Sequence, residues 1–142
     1  MKLELSSEGR YALRALVYLA RAVDRRDLVT ADRISAEAGV PRRLLARVMA
    51  KLVHAGLVES VEGRGGGSRL AQLPEKVSLR DAVEAVEGPF EITHCIMQQR
   101  ACGQGRPCAL HDAWTEGQNA ILQNLGSKTL ADFSSQAPPF SR

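Results

Sequence analysis

Three cysteines lie within one short segment, and their type and spacing give this chain its most direct chemical signal. Six residues separate Cys95 from Cys102, five separate Cys102 from Cys108, and His111 follows three positions after Cys108. Thiolates are soft ligands that suit iron–sulfur clusters, zinc or copper. The spacings are too long for a Cys-x-x-Cys zinc knuckle and suit a loop that wraps around a larger group. The segment therefore predicts a metal centre.

Two of these candidate ligands should lie at the start of a helix that runs from about Cys108 to Leu125. Cys108 and His111 would then share one face of the helix, because residues three apart are neighbours on its surface. The helix N-terminus also favours the thiolate form of Cys108. Three Cys and one His are a chemically complete zinc set as well. The residues alone therefore leave the metal open, and incidental cysteines remain an alternative.

A second signal is a row of basic side chains on a predicted helix. Arg43, Arg47 and Lys51 follow one another at intervals of four, Arg42 adds a charge at the N-terminal end, and no acidic residue occurs among residues 41–51. Exposed helices usually mix charges of both signs, which form stabilising pairs. A helix that enters the major groove of DNA instead faces phosphates and guanine edges that arginine recognises. The row predicts a DNA recognition helix, and a solvated basic helix is the alternative.

The elements around this row complete a helix-turn-helix pattern. A helix should run from about Ala31 to Ala38, with Thr30 as its N-cap and Gly39 in a left-handed conformation after its end. Pro41 suits the first position of the next helix, which runs to about Ala55. Its core-facing stripe is expected to consist of Leu44, Leu45, Val48, Met49, Leu52 and Val53.

A β-hairpin is predicted to follow as a wing. Its strands are Leu57–Val61 and Arg69–Leu73, and a glycine-rich loop joins them. The loop is not the phosphate-binding loop of a nucleotide enzyme, because no Gly-Lys-Ser/Thr and no helix follow it. Arg64 or Arg69 could contact the minor groove or the DNA backbone. The alternative is a flexible hairpin tip with no further role.

Two further helices and two irregular segments are expected outside these elements. An N-terminal helix from about Glu8 to Val23 has Ser7 as its predicted N-cap, and a short helix from Leu79 to Glu87 begins after Ser78. Residues 91–107 should be irregular, and the tail from residue 134 should be frayed. The apolar line along the C-terminal helix consists of Leu110, Trp114, Ile121 and Leu125.

These elements define a mainly α fold with a small β-hairpin wing. We expect a winged helix-turn-helix domain at 1–75, a cluster-binding loop with a long C-terminal dimerisation helix at 76–133, and a disordered tail at 134–142. The chain has 142 residues, of which 44% are hydrophobic and only 4% aromatic, so aliphatic residues must fill most of the core.

Charge is unevenly distributed along the chain. Residues 1–74 contain 13 Lys and Arg against 8 Asp and Glu, whereas residues 75–142 contain 6 against 8. A basic N-terminal half suits a polyanionic partner, although a solvated basic surface would look the same. No apolar run approaches the roughly 20 residues that span a bilayer, and no signal-peptide pattern occurs, so a cytoplasmic location is expected. No catalytic set of residues is recognisable, and we expect no enzyme.

Taken together, these stretches resemble the Rrf-type family of winged-helix transcription regulators, which includes IscR, NsrR, RirA and CymR. The resemblance covers nearly the whole chain, and its combination of motifs is specific although each is weak alone. The matching stretches are Ser7-Glu8-Gly9-Arg10-Tyr11-Ala12, Ala55-Gly56-Leu57-Val58, Gly65-Gly66-Gly67, Val77-Ser78-Leu79-Arg80-Asp81-Ala82-Val83 and the segment of the three cysteines.

The resemblance implies a homodimer that binds a palindromic operator in double-stranded DNA. It also implies an iron–sulfur cluster, 2Fe-2S or 4Fe-4S, held by the three cysteines, whose loading changes operator affinity. IscR-like members use a His three residues after the last Cys, which His111 matches. NsrR-like members use a carboxylate near the N-terminus of the other subunit, which Glu8 matches. We favour His111, and Glu8 is the second candidate and otherwise a first-turn charge.

The chain departs from the family pattern in its wing, where Glu62 precedes the first glycine in place of a frequent Arg. Arg64 could take over that role, so the operator sequence stays open. The resulting hypothesis is a regulator, such as a repressor, that senses cluster status, iron, nitric oxide or redox state. A zinc-stabilised or cofactor-free DNA-binding regulator is one alternative. An iron–sulfur electron carrier or cluster-transfer protein is another.

Overall fold

The computed structural model describes residues 3–22, 26–90, 101, 108 and 110–136. Within these ranges the chain is mainly helical and contains one two-stranded antiparallel sheet, which confirms the predicted fold class. A short 3₁₀ turn at Pro74–Lys76 precedes the fourth helix. The elements in chain order are α1 (Ser7–Ala20), α2 (Ala31–Ala38), α3 (Arg42–His54), β1 (Val58–Val61), β2 (Gly67–Leu70), α4 (Leu79–Glu87), α5 (His111–Ser127) and α6 (Leu130–Gln136).

The turn between α2 and α3 forms as its local signals predict. The Thr30 side chain caps α2 by accepting a hydrogen bond from the Arg33 backbone N–H. Gly39 ends α2 with a φ of 65°, a left-handed conformation that glycine adopts without a steric penalty. Pro41 is the residue before the first turn of α3 rather than part of it. The sequence thus predicted both helices and misplaced Pro41 by one position.

The first helix begins one residue earlier than predicted and ends earlier. Its N-cap is Ser6 rather than Ser7, because the Ser6 hydroxyl accepts a hydrogen bond from the Gly9 N–H at 3.0 Å. The helix ends at Ala20, three residues before the predicted Val23. α1 packs against α2, α3, α4 and α6 and is therefore the central element of the fold.

The wing is shorter than predicted and is tied to the segment before α2. β1 begins at Val58 rather than Leu57, and β2 spans Gly67–Leu70 rather than Arg69–Leu73. The shift has a physical cause in a third segment, because the Val29 and Ser68 backbones exchange hydrogen bonds of 2.9 and 2.8 Å. Pairing with Val29 draws Gly67 and Ser68 into extended structure that the hairpin pattern alone does not predict.

One hydrophobic core holds these elements together. On α3 the buried side chains are Leu45, Val48, Met49 and Leu52, whereas Val53 is 40% exposed, so its predicted place in the core is wrong. Each step of four residues advances a helix by about 40° beyond a full turn. Val53 lies two such steps after Leu45 and has moved onto the exposed flank.

The C-terminal elements join this same core. Val77, Ala82 and Leu130 are buried in one cluster with side chains from α1 and α3. Residue 75, which we expect as a domain boundary, therefore does not mark a break in the hydrophobic core. No helix in the described ranges has the length and apolar character required to cross a lipid bilayer.

Two predictions for the C-terminal part need correction. α5 begins at His111 rather than Cys108 and continues to Ser127, beyond the predicted end at Leu125. α6 was not predicted, and it includes residues 134–136, so the expected disordered tail begins too early. A reciprocal cap explains α6, because Thr129 and Asp132 exchange hydrogen bonds of 3.0 and 3.2 Å between backbone N–H groups and side chains. The rest of the predicted tail, 137–142, lies outside the described residues.

Candidate nucleic-acid interface and cysteine segment

The three arginines of α3 are exposed and Lys51 is half-buried, and most of these basic residues already contact a carboxylate. Arg42 pairs with Asp32 at 2.9 Å and Arg47 pairs with Glu8 at 2.8 Å. Lys51 donates a short hydrogen bond to the other oxygen of Glu8. Within the part of the chain that the structure describes, Arg43 is the member of the predicted row that forms no ion pair.

Glu8 is a functional candidate in a way that the sequence did not predict. Its carboxylate is only 20% exposed and lies between Arg47 and Lys51. The hydrogen bond from Lys51 and the nearby charge of Arg47 lower the pKa of Glu8, against the opposing effect of burial. The carboxylate is therefore ionised at neutral pH and offsets part of the charge of the recognition row. Because Glu8 and Lys51 are 43 positions apart, no local pattern could indicate this contact.

The two arginines of the wing lie in different environments. Arg69 donates to Glu59 at 3.0 Å across the hairpin and to the Arg26 carbonyl oxygen at 3.0 Å. Arg64 is exposed at the tip, and in the described ranges it contacts no carboxylate. Arg64 is thus available to a partner, while Arg69 first stabilises the hairpin. The predicted hairpin did not indicate the Arg69–Glu59 pair, because Arg69 is the first residue of the predicted second strand whereas Glu59 is in the middle of the first.

The cysteine segment is described only at its C-terminal end. Cys95 and Cys102 lie outside the described residues, and Cys108 is a half-buried free thiol. The Cys108 carbonyl oxygen accepts a hydrogen bond from the His111 N–H at 2.9 Å, so the two residues belong to one turn at the start of α5. Among the described residues, no three Cys, His, Asp or Glu side chains come together as a metal-binding group.

The residue that precedes this segment is held by two elements. The Phe90 carbonyl oxygen accepts a hydrogen bond from the Gln118 side chain of α5 at 2.7 Å, and the Phe90 N–H donates to Glu84 of α4 at 3.3 Å. Nearby, Glu87 at the end of α4 accepts hydrogen bonds of 2.8 and 2.6 Å from the Ser6 backbone and hydroxyl. A continuous set of contacts therefore links the flank of the cysteine segment to the start of α1.

Of the residues predicted for dimerisation, Leu110 directly precedes α5 and the other three lie on it, and α5 has no buried residue in this single chain. Leu110 is 44% and Trp114 38% exposed. Ile121 and Leu125 are half-buried and line an apolar cavity of about 490 Å³ together with side chains of α1, α4 and α6. A 17-residue helix with this exposure leaves apolar surface that the described chain does not cover.

Comparison with known proteins agrees with this geometry. A family model described as Rrf2, an iron-dependent transcriptional regulator, matches residues 5–136. The HTH-type transcriptional regulator IscR of Aliivibrio salmonicida (strain LFI1238) is 32% identical over 130 residues, which are 92% of this chain and 76% of that protein. These relatives are transcriptional regulators rather than enzymes, as the sequence predicts.

Two solved structures show the same architecture. CymR, the global cysteine regulator of B. subtilis, superimposes with a TM-score of 0.77 at 26% identity, over 96% of this chain and 100% of that one. IscR of T. potens superimposes with a TM-score of 0.73 at 25% identity, over 99% and 96% of the two chains. The helix-turn-helix, the hairpin and these likenesses lead to one conclusion: the chain belongs to the Rrf2 family of DNA-binding transcriptional regulators.

Proposed function

We propose that this chain is a homodimeric regulator whose operator affinity depends on an iron–sulfur cluster held by Cys95, Cys102, Cys108 and His111. The observation that carries the proposal is the turn at the start of α5, which holds the Cys108 thiol and the His111 imidazole three residues apart. The two other thiols belong to the segment that begins directly after Phe90. The Gln118 side chain of α5 donates a hydrogen bond to the Phe90 carbonyl oxygen. One helix thus organises both flanks of the cysteine segment.

The donor chemistry fits such a group. Thiolates and imidazole are the protein ligands of iron–sulfur centres, including those with mixed Cys and His ligation. Cys108 is half-buried in this single chain. When bound, the cluster would supply a redox-active group, and its potential would depend on the charge and hydrogen bonds around it. The sensed signal in this proposal is cluster status, iron, nitric oxide or redox state.

The turn that His111 shares with Cys108 favours His111 as the fourth ligand. Both carboxylate oxygens of Glu8 are engaged, one by Arg47 and one by Lys51. Coordination of a metal would require Glu8 to give up at least one of these contacts. His111 needs no contribution from a second subunit, since it lies in the same turn as Cys108. Glu8 therefore remains the second candidate.

Spectroscopy on anaerobically purified protein tests the cluster. We expect visible absorption that Cys102→Ala abolishes and that His111→Ala shifts or weakens. Glu8→Gln serves as the matched variant and should retain the absorption. If Glu8→Gln loses the cluster and His111→Ala keeps it, the two ligand assignments are reversed. A colourless protein with stoichiometric zinc would reject the cluster.

The second candidate function is a regulator that binds DNA without a cluster, either cofactor-free or stabilised by zinc. The likeness to CymR favours it, because that relative is described as a cysteine regulator. This candidate predicts operator affinity that is unchanged when the metal is removed or an oxidant is added. The cluster proposal predicts a change in affinity under the same treatments, measured by fluorescence anisotropy with an operator duplex.

The proposed DNA contacts of a protomer are Arg42, Arg43, Arg47, Lys51, Arg64 and Arg69. A palindromic operator would match the two-fold symmetry of a dimer, and repression would follow where that operator overlaps a promoter. Such a regulator works where the chromosome is, which we propose to be the cytoplasm.

Arg43→Ala and Arg47→Ala test the recognition helix. Each should weaken operator binding by about 1–3 kcal/mol, because an arginine contact to a guanine edge contributes that much discrimination. Arg80→Ala on α4 is the control, since Arg80 pairs with Glu84 on the same helix and lies outside the proposed contacts. Unchanged affinity in both α3 variants would remove the recognition assignment.

A further inference from the structure

A cleft of about 630 Å³ opens where α1 lies beside the start of α3. Arg10, Tyr11 and Arg14 line it from α1, and Pro41 and Arg42 line it from the beginning of α3. Among the described residues that form its wall, none is a carboxylate. Three guanidinium groups around one concave surface concentrate positive potential there, which is an arrangement that attracts anions.

Two arginines of this cleft, Arg10 and Arg14, are oriented by contacts with neighbouring backbone and side-chain groups. Arg14 donates to the Gly39 carbonyl oxygen at 3.3 Å and lies over the Tyr11 ring at 5.9 Å. Arg10 donates to the Leu5 carbonyl oxygen and the Ser7 hydroxyl at 3.4 and 3.2 Å. These contacts orient both side chains, and the two partners of Arg10 are neutral groups that do not offset its charge. A fixed, planar guanidinium is well suited to bind the oxygens of a phosphate group.

Arg42 differs because it also meets an acid. Its Nε atom contacts Asp32 at 2.9 Å, but the Asp32 side chain is 87% exposed and does not line the cleft. An ion pair this exposed contributes little and exchanges readily with other partners. Arg42 can therefore turn its remaining donors to an anion without a large cost.

The cleft lies next to the proposed DNA-contacting row. Glu8 near the start of α1 contacts Lys51 near the end of α3, whereas Arg14, further along α1, contacts Gly39 just before α3. α1 and α3 therefore run antiparallel along this seam, and the cleft occupies its end at the first turn of α3. In helix-turn-helix proteins the N-terminal residues of this helix contact base edges, so the phosphates that flank the groove lie close to it.

We propose that this cleft binds a phosphate group, supplied by the DNA backbone beside the base pairs that α3 contacts. The inference rests on the proposed DNA-binding role of α3 and adds two residues of α1, Arg10 and Arg14, to the interface. A backbone contact of this kind fixes the orientation of the protein on DNA and carries no sequence preference of its own. A free phosphate-bearing anion has the same chemistry and is the other possible source.

The first arm of the test measures how operator affinity depends on salt. Loss of one phosphate contact lowers the slope of log K against log salt by about 0.9, which is roughly a 3-fold change in salt sensitivity between 50 and 200 mM. Arg10→Gln and Arg14→Gln should each show this loss on operator and on unrelated DNA alike. Arg10→Lys keeps the positive charge and should retain most of the wild-type slope. Arg80→Gln, at a distant exposed arginine, is the control.

The second arm uses the full chain without DNA and inorganic phosphate or pyrophosphate as the probe. Backbone amide shifts of residues around the cleft are followed by NMR at constant ionic strength, with chloride as the reference anion. Saturable shifts that Arg10→Gln removes would show a phosphate site. Arg14 also supports the α2–α3 turn through Gly39, so its replacement could disturb the fold. The contacts of Arg10 are exposed, and Arg10→Gln is therefore the decisive variant.

The outcomes separate the two sources and the two proposals. A reduced salt slope supports a DNA phosphate in the cleft. An unchanged slope with phosphate shifts that Arg10→Gln removes supports a free anion. Unchanged slopes and no saturable shifts would overturn the proposal. Failure of both Arg43→Ala and Arg47→Ala to affect operator binding would instead reject the recognition role of α3, and the phosphate arm would still report on the cleft.

Discussion

The Glu8 side chain belongs to the first turn of α1 and contacts α3, the helix proposed to enter the DNA groove. Arg47 and Lys51 each bind one of its oxygens, which holds the two cations at fixed places on α3. The same contact offsets their charge before DNA arrives. We therefore expect Glu8 to reduce general attraction to DNA while it orients Arg47, which would favour selectivity over affinity.

Glu8→Gln should raise the affinity for unrelated DNA several-fold, because each cation released to a phosphate steepens the salt dependence by about 0.9. Selectivity for the operator should fall, since Arg47 loses the group that orients it. Anisotropy titrations with operator and unrelated duplexes over a range of salt concentrations measure both quantities. Glu84→Gln on α4 makes the same change in net charge at a distance from α3. An equal effect of both variants would assign the result to net charge alone.

The lowered pKa of Glu8 also predicts how stability depends on pH. The hydrogen bond from Lys51 and the charge of Arg47 hold this pKa below its ordinary value of 4.5, so the unfolded chain binds a proton more readily than the folded one. The stabilisation from this contact is fully present above pH 4.5 and is lost as the pH falls through the lowered value.

Thermal unfolding of the wild type and Glu8→Gln between pH 7 and pH 3 measures this dependence. The two melting temperatures should differ most at neutral pH and converge as the acid form of Glu8 accumulates. A difference that stays constant over the whole range would contradict an ionised Glu8 in this contact.

At the scale of elements, the hairpin shows how close backbone contacts select particular glycines. A Cβ atom at Gly66 would lie 2.2 Å from the Val61 carbonyl oxygen, whereas Gly65 has open space and a φ of 70°. The glycine run of the tip therefore contains positions with different constraints. Gly66 permits a close approach of two backbones, and Gly65 permits a left-handed conformation.

Gly65→Ala should cost about 1 kcal/mol of stability, from the left-handed backbone alone. Gly66→Ala should cost more, because the new methyl group meets a backbone carbonyl that cannot rotate away without disturbing β1. Chemical denaturation gives both free energies, and NMR shifts of β1 and β2 report on the hairpin. Equal costs for the two substitutions would show that the tip rearranges freely.

The elements that the sequence predicted well are those with local determinants. Thr30 caps the N-terminus of α2 and Gly39 ends the helix. Ser78 caps the N-terminus of α4 through a capping box with Asp81. Each cap depends on residues within four positions, which periodicity and residue type reveal. The strand β2 was misplaced because its second neighbour, Val29, is distant in sequence.

The whole molecule leaves α5 as a helix that is covered on one side only. Leu110 and Trp114 are exposed, and α5 packs against α4 in the described chain. Large apolar side chains on an exposed helix mark a surface for association. A second copy of the chain is the partner that the proposed function requires, since two recognition helices are needed for a palindromic operator.

Trp114→Glu should weaken the dimer at least about tenfold, because full burial of one large apolar side chain contributes about 1.5–3 kcal/mol. Sedimentation velocity over a range of protein concentrations measures the dissociation constant. Asn119→Glu introduces the same charge on the exposed opposite flank of α5 and should leave the dimer intact. A dimer equally stable in both variants would exclude this face of α5 as the interface.

The sequence by itself determined the helix-turn-helix, the basic row of α3 and the presence of a hairpin, because these depend on residue type and on spacings of a few positions. Only the tertiary structure decided that Glu8 contacts Arg47 and Lys51, and that Arg10 and Arg14 share a cleft with Arg42. The tertiary structure likewise shows that Val53 is exposed and that residues 134–136 belong to α6. The physical reason is that such contacts join residues distant along the chain, and their geometry follows from how helices pack rather than from any local pattern.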